Sequence, residues 1–210
     1  MASTPVDQYA ARFDVDYDDA RDRVTVLFRI LLVIPILVVL GLLEGGTITQ
    51  QAGEDTSTFT FVATGSIGVA TALMIVFRQR YPRWWFDFQR EFARFSARVG
   101  AYLFLLRDEY PSTEDEQAVH LELDYPDATA LNRWLPLVKW LLAIPHYIVL
   151  FFLGIGAVIA VIVGWFAILI TGRLPRGIHD YLVGVARWGL RVQAYAFLLL
   201  TDRYPPFSLR

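Results

Sequence analysis

The sequence AYLFLLRDEYP at residues 101–111 returns near the end of the chain as AYAFLLLTDRYPPF at residues 194–207. Each copy follows a long stretch in which arginines are interspersed with apolar and aromatic residues. Proline interrupts a helix, and tyrosine favours the headgroup zone of a membrane. Each phrase therefore predicts the buried end of an amphipathic helix together with its exit, and the repetition predicts one structural unit used twice.

The composition of the chain is that of a membrane protein. Of its 210 residues, 55% are hydrophobic and 15% are aromatic, and the mean hydropathy is +0.41. These values exceed those of ordinary soluble domains. The absence of cysteine excludes disulfides, thiol nucleophiles and cysteine-ligated metals. A net charge of -2 gives no reason to expect nucleic acid as a partner.

Three apolar runs predict the membrane segments. Residues 24–43 and 59–77 are long enough to cross a hydrocarbon core of about 30 Å. In the run 135–170, the sequence GIG at 154–156 predicts two short helices joined by a glycine turn. Because each limb is at the lower limit for spanning, a spanning hairpin and a re-entrant hairpin both stay open. Close helix packing is expected at three small residues of this run, Gly156, Ala160 and Gly164.

The distribution of arginine predicts the orientation. The loop 44–58 contains no lysine or arginine, whereas the opposite ends of the apolar runs are flanked by basic residues. The positive-inside rule then places both termini in the cytoplasm of a multi-pass plasma-membrane protein. The polar start of the chain lacks the features of a signal peptide and is expected to be a retained cytosolic arm. The flanking residues are Arg21, Arg23, Arg78, Arg80, Arg83, Arg173 and Arg176.

The two halves of the chain can be laid over one another. FDVDYDDA at 13–20 matches LELDYPDA at 121–128, and Ile34-Pro35 matches Ile144-Pro145. The alternation of apolar and polar residues in the first pair is typical of strands, which we expect to pair as a small cytosolic β ribbon. The match predicts two parallel repeats, 1–117 and 118–210, related by a pseudo-two-fold axis along the membrane normal.

We therefore expect an all-α integral membrane protein apart from that ribbon. Each repeat would contain a transmembrane helical hairpin, 24–77 or 135–170, followed by an amphipathic interfacial helix, 84–106 or 177–200. Spacings of three and four residues define an apolar stripe on each amphipathic helix. The stripes comprise Trp85, Phe88, Phe92, Phe95, Val99, Tyr102 and Leu106, and Ile178, Tyr181, Val185, Trp188, Val192, Tyr195 and Leu199.

Opposite each stripe lies an arginine face, formed by Arg90, Arg94 and Arg98 in one helix and by Arg187 and Arg191 in the other. Three interpretations apply to these faces. The arginines contact anionic lipid of the inner leaflet, the helices pack on one another or on a partner, or the arginines form the solvated face of a packed helix.

The ionisable residues within the apolar runs are a second set of candidates. Arg29 and Lys139 occupy equivalent positions, close enough to the cytoplasmic end to extend towards it. Alternatively, they form a cationic pair that binds lipid phosphate or an anionic substrate. His146 lies deeper and either hydrogen-bonds within the bundle or transfers protons. The other histidines, His120 and His179, fall in different predicted layers, so we expect no metal site.

The second half resembles the bacterial membrane family catalogued as domain of unknown function 4389. The resemblance lies in AIPHYIVL, in TGRLPRGIHDYLVGVARWGLRVQAYAFLLLTDRYPPF and in the preceding LDYPDA. The first half resembles a diverged copy, with FRQRYPRWWFDF in place of TGRLPRGIHDY and IPIL in place of IPHY. The resemblance implies a multi-span membrane protein and implies no activity for any residue.

Three functional hypotheses follow. The first is a non-catalytic adaptor or accessory subunit that engages anionic lipid or a partner membrane complex through its arginine faces. The second is a small transporter or flippase-like protein, with Arg29, Lys139 and His146 as a polar path between the repeats. A membrane-embedded enzyme ranks last, because the sequence contains no catalytic motif. We expect the first, with no catalytic residue and no cofactor, and with lipids, a larger complex or further copies of the chain as partners.

Overall fold

The computed structural model describes residues 9–18, 20–52, 55–113 and 115–210, and for residues 42–66 it describes the backbone. Part of the predicted cytosolic arm lies outside the described residues. The structure is mostly helical, with two small antiparallel sheets. The helices are α1 (Arg23–Glu44), α2 (Ala63–Arg78), α3 (Arg83–Leu103), α4 (Lys139–Leu142), α5 (Ile144–Thr171) and α6 (Arg176–Ala196), with a 3-10 turn at Leu135–Leu137. The strands are β1 (Ala11–Val15), β2 (Gly45–Ala52), β3 (Asp55–Val62) and β4 (Val119–Leu123).

Two helices among the described residues are long and apolar enough to cross a membrane. They are the Arg23–Gly41 part of α1 and the whole of α5, Ile144–Thr171. In α5 only 6% of the most apolar window is buried, and side chains such as Phe152, Ile159 and Ile170 are more than half exposed. The described part of α2, Ile67–Arg78, is apolar but shorter.

The predicted span 59–77 is wrong at its start, because β3 continues to Val62 and α2 begins only at Ala63. The predicted loop 44–58 lies mostly within a β-hairpin in which β2 pairs with β3 from Gly45 opposite Val62. The physical reason is visible in the sequence TSTFTFV at 56–62, where threonine alternates with phenylalanine. Such β-branched and aromatic residues favour a strand over a helix.

The predicted hairpin 135–170 is also wrong, because α5 runs unbroken from Ile144 through Gly154 and Gly156 to Thr171. Glycine costs a helix about 1 kcal/mol relative to alanine, which a long apolar helix tolerates. The helix ends at Gly172, which adopts the left-handed conformation with φ of 75° that glycine allows. A glycine therefore ends this helix at its C-cap, not at its middle.

Close packing at the small residues of α5 is confirmed, with α6 as the neighbour. A Cβ atom at Gly156 would lie 2.5 Å from the hydroxyl of Tyr181. At Gly164 it would lie 2.9 Å from the Cδ1 atom of Leu174, in the segment just before α6. At the other end of α5, His146 contacts Trp188, so α6 runs back along α5 in the opposite direction.

The predicted β ribbon is confirmed as the antiparallel pair of β1 and β4. Phe13 lies opposite Leu121 at its centre, and both side chains are buried. The ribbon packs against α3 and α6, with β1 on α6 and β4 on α3. It therefore holds the two amphipathic helices together from one side.

The apolar stripes are buried chiefly in their C-terminal halves. On α3, Phe95, Val99 and Tyr102 pack against Val33 and Ile36 of α1. On α6, Trp188, Val192 and Tyr195 form the corresponding cluster with Ala143, which precedes α5. Each amphipathic helix is thus attached to the first apolar helix of its own half.

Candidate functional site

Arg29 is buried and neutralised within the chain, with 2% of its surface exposed. Its guanidinium donates a 2.7 Å hydrogen bond to the carbonyl of Tyr102 and pairs with the carboxylate of Asp108. It also lies 4.5 Å from the centre of the Tyr102 ring. The carboxylate belongs to the repeated phrase that follows α3, so this phrase receives a cation from α1.

Lys139 is fully buried, and the residues that follow α6 surround it as those that follow α3 surround Arg29. Its ammonium donates a 2.7 Å hydrogen bond to the carbonyl of Thr201 and forms a 2.7 Å ion pair with Asp202. The ring of Tyr195 lies 5.2 Å away. The two predicted intramembrane cations therefore each have their own carboxylate and occupy separate clusters.

Each of these carboxylates also binds the backbone that leads into the next apolar segment. The amide of Asp22 donates to Asp108 over 2.8 Å, and the amide of Asn132 donates to Asp202 over 2.6 Å. Asp108 thereby joins the end of α3 to the start of α1, and Asp202 joins the end of the chain to the turn before α4.

Contacts between the halves join the start of each apolar segment to the end of the apolar segment in the other half. Arg23 at the start of α1 donates to the carbonyl of Ile170 near the end of α5, over 3.2 Å. Arg133, before the 3-10 turn, donates to the carbonyl of Phe77 near the end of α2, also over 3.2 Å. Laying the halves over one another makes Arg23 equivalent to Arg133, so equivalent residues make equivalent contacts.

The arginine faces of α3 and α6 lie against the ribbon and against the segments that follow each helix. Arg94 donates to the carbonyl of Leu121 in β4 over 3.1 Å, and Arg187 donates to the carbonyl of Phe13 in β1 over 2.8 Å. The remaining predicted residues also have partners in the chain. Arg98 contacts Ser112, Arg191 contacts Ser208, and Arg90 contacts Asp87 and Glu91.

The ribbon side of α6 carries a cationic cavity of about 870 Å³. Five arginines line it against three aspartates, whereas two arginines face three carboxylates in the 500 Å³ cavity beside α3. Of these two cavities beside the ribbon, only the one on α6 therefore has an excess of positive charge. The residues of the larger cavity that carry charge are Arg12, Arg176, Arg187, Arg191 and Arg210, with Asp14, Asp16 and Asp180.

His179 also lines the cationic cavity and is 3% exposed. Its Nδ1 atom lies 3.4 Å from the Asp180 carboxylate, and its ring meets Tyr17 edge-on at 5.1 Å. Burial lowers the pKa of His179, although Asp180 opposes this shift. The position equivalent to His179 in the first half is occupied by Phe86, which is also buried.

His146 is fully buried and lies close to the C-terminal segment of the chain. The indole of Trp188 donates to its Nδ1 atom over 3.0 Å, and the ring of Phe207 stacks on it at 4.0 Å. Its Nε2 atom has no hydrogen-bond partner among the described residues. The structure brings His146 and Lys139 to the same end of α6 through Trp188 and Tyr195, while Arg29 lies at the end of α3.

Sequence reasoning missed an apolar cavity of about 790 Å³ between α3, α5 and α6. Phe13 and Leu121, the central pair of the ribbon, cover it. The signal that could have indicated it is a set of small residues beside the apolar stripes. Those that line the cavity are Ala93, Ser96, Ala97, Gly100, Ala101, Gly154, Ala157, Ala186 and Gly189.

Comparisons with known proteins agree with the expected resemblance for the second half. Residues 134–208 match the family model described as Domain of unknown function (DUF4389). The matched segment contains α4, α5, α6 and the repeated phrase that ends in the Lys139 cluster. No curated protein and no solved structure matches the chain. The resemblance of the first half stays a prediction.

Proposed function

We propose that the protein is a non-catalytic adaptor or accessory subunit of the cytoplasmic membrane, built from two parallel repeats. The observation that carries this proposal is that the three residues of the predicted polar path do not converge. Arg29, Lys139 and His146 are each enclosed by their own contacts, and the cavity between the helices of the two halves is apolar. A transporter needs convergent polar groups along one path, and among the described residues that line this cavity the polar side chains are Ser96 and Gln193 alone.

The paired contacts support the repeat architecture. Tyr17 donates to the carbonyl of Leu174 over 2.9 Å, and its equivalent Tyr125 donates to the carbonyl of Tyr81 over 2.5 Å. Arg176 lies over the ring of Tyr17, as its equivalent Arg83 lies over the ring of Tyr125. Such agreement in contacts made across the chain is expected of a duplicated unit around a pseudo-two-fold axis.

The ends of the apolar segments support one cytoplasmic side. The pairing of β1 with β4 keeps the approaches to α1 and to α4 together, and the amide of Arg21 donates to the carbonyl of Gly172 at the end of α5. The second apolar segment therefore starts and ends on the same side. A segment that starts and ends on one side must cross the membrane twice or not at all. Because α5 is one unbroken helix, it could supply only one crossing, and residues 135–143 would have to supply the other. Those residues cover at most about 20 Å, which is less than a hydrocarbon core of about 30 Å.

We accordingly assign the crossings to α1 and α2 and place α5 within the cytoplasmic leaflet, as a re-entrant or in-plane helix. The 16 residues of α2 cover about 24 Å, so its crossing requires a locally thinned bilayer. Both termini then lie in the cytoplasm, together with the ribbon and the cationic cavity. Arg176 and Arg210 at that cavity are placed to attract anionic headgroups, at about 1 kcal/mol for each basic residue near such a surface. A partner complex would be met on the same side.

The test compares an arginine of the cationic cavity with one that lies outside it. After purification from membranes with equal phosphatidylglycerol and phosphatidylcholine, Arg176→Gln should retain about fivefold less phosphatidylglycerol, the factor that corresponds to one such contact. Arg90→Gln is the control, since Arg90 is paired with Asp87 and Glu91 and does not line the cationic cavity. Equal retention by the wild type and both variants would remove anionic lipid from the proposal.

Flux measurements test the adaptor against the transporter. Purified protein in vesicles should move neither protons nor small anions, and Lys139→Gln should alter only stability. Solute movement that is lost in Lys139→Gln and in His146→Ala would replace the adaptor by a transporter.

A further inference from the structure

Three helix-interior glycines lie around the cavity between α3, α5 and α6. They are Gly100 in α3, Gly154 in α5 and Gly189 in α6. A Cβ atom at any of them would meet nothing within 4 Å. Glycine in a helix costs about 0.5–1 kcal/mol relative to alanine, and here no close approach within the chain requires it. What the three positions share is the open space beside them.

The shape of this cavity, which we call the apolar slot, is elongated. On α3 its lining extends from Phe92 to Phe104, and on α6 from Leu182 to Gln193, so it follows both helices for about 16–18 Å. The acyl chains of one leaflet cover half of a hydrocarbon core of about 30 Å, so the slot is about as long as one such chain.

The chemistry of the slot excludes water as a stable occupant. Its lining is almost entirely aliphatic and aromatic, and an ordered water needs two to four polar partners. The polar side chains in the lining are Ser96 and Gln193. The hydroxyl of Ser96 has no hydrogen-bond partner among the described residues. A linear apolar chain fits the lining and the length.

The slot is continuous with the exposed apolar surface of α5. Phe151, Ile155 and Val158 line it and are 65%, 47% and 55% exposed. In the proposed placement, that surface of α5 lies in the cytoplasmic leaflet. A lipid chain can therefore enter from the leaflet without any polar barrier.

We propose that the apolar slot binds one acyl chain of a cytoplasmic-leaflet phospholipid, between α3 and α6 and beneath the ribbon. The inference rests on the proposed membrane placement but not on the arginines. The three glycines keep the slot open, and the ribbon limits how far the chain penetrates. The protein would then hold a lipid by its tail, whichever headgroup that lipid carries.

The experiment uses full-length protein in vesicles of phosphatidylcholine that carries a photoreactive diazirine on one acyl chain. After illumination, peptides that contain the slot residues of α3 and α6 should be labelled. In Gly100→Leu/Gly189→Leu, which fills the slot, that label should fall about tenfold, equivalent to about 1.4 kcal/mol of binding. The matched control is Gly177→Leu, at an α6 glycine with open space around it and outside the slot. Its label should equal that of the wild type.

Two further readouts make each outcome decisive. The exposed face of α5 should be labelled in every variant. If α5 carries no label, the membrane placement and the slot are both overturned. Labelling of α5 without labelling of the slot, or equal slot labelling in the double variant, would overturn the slot alone. The milder variant Ala186→Leu, at an exposed residue of the lining, repeats the test if the double variant does not fold.

Discussion

In the first half, α1 and α2 are separated by the β2–β3 hairpin, whereas in the second half α5 passes through the corresponding region as one helix. The contacts at the ends of these segments are nevertheless the same in both halves. Arg23 binds the end of α5 as Arg133 binds the end of α2. The comparison shows that contacts at the ends of the apolar segments fix how the halves are joined. The residues between those ends can form a β-hairpin in one half and a helix in the other.

The buried cations differ in a second way. In the first half, the Arg29 guanidinium binds the Tyr102 carbonyl and Asp108 through separate nitrogens. In the second half, the single ammonium of Lys139 serves both the Thr201 carbonyl and Asp202. Lysine is a compact charge, whereas arginine spreads its charge over a planar group with several donors. The lysine cluster should therefore depend more strongly on its carboxylate.

The largest effect is expected when that carboxylate is removed. Asp202→Ala leaves the fully buried Lys139 ammonium unpaired, which should destabilise the protein by about 3–5 kcal/mol. Asp108→Ala should cost less, since the guanidinium of Arg29 spreads its charge over several donors, one of which keeps the Tyr102 carbonyl. Unfolding in mild detergent, followed by circular dichroism, measures both.

Lys139→Met in the Asp202→Ala background is the control for this prediction, because it removes the unpaired charge and should recover most of the lost stability. Equal losses in Asp108→Ala and Asp202→Ala, or no recovery, would show that the two clusters do not differ as inferred.

A middle-sized effect is expected from two glycines of α5. Gly164→Ala places a methyl group against the fully buried Leu174 and should cost about 1–3 kcal/mol. Gly154→Ala meets nothing and should stabilise the helix by about 0.5–1 kcal/mol. Thermal unfolding of both variants checks the opposite signs. Two shifts in the same direction would contradict the packing of α5 on α6.

The smallest effect concerns His179 and its equivalent Phe86. Because burial lowers the pKa of His179, the unfolded chain, with a pKa near 6.5, takes up a proton at higher pH than the folded protein does. Stability is therefore retained above about pH 6.5 and declines as the pH falls further. His179→Phe should reduce this decline. The melting temperature at pH 8 and pH 5 measures it, and an identical decline in the variant would show that other groups are responsible.

Much of this fold could be predicted from periodicity. The 3–4 spacing of the apolar stripes indicated α3 and α6, and the alternation in FDVDY and HLELDY indicated the ribbon. The prediction of a turn in the second apolar run was wrong because the glycines of GIG were taken to end a helix. Their surroundings decide their role, since Gly156 packs on Tyr181 while Gly154 faces the apolar slot. That distinction depends on tertiary contacts.

The candidate site was less predictable for a similar reason. The sequence indicated which arginines share a face, but not that Arg94 and Arg187 bind the ribbon carbonyls. Charge repeats on a helix do not reveal whether the charges face lipid, solvent or backbone. Asp108, which neutralises Arg29, lies 79 residues after it. Asp202, which neutralises Lys139, lies 63 residues after it, the difference between the numbers 202 and 139. Only the tertiary fold brings them together.

The bonds of Arg23 and Arg133 have a consequence for the origin and the synthesis of the chain. Each arginine completes a helix end that belongs to the other half. If the halves arose by duplication, as proposed, a single ancestral repeat would have met these bonds in a second copy of itself, as a symmetric homodimer. Fusion of the two copies makes that association independent of protein concentration. It also means that the start of α1 waits for its partner carbonyl until the ribosome has made Ile170.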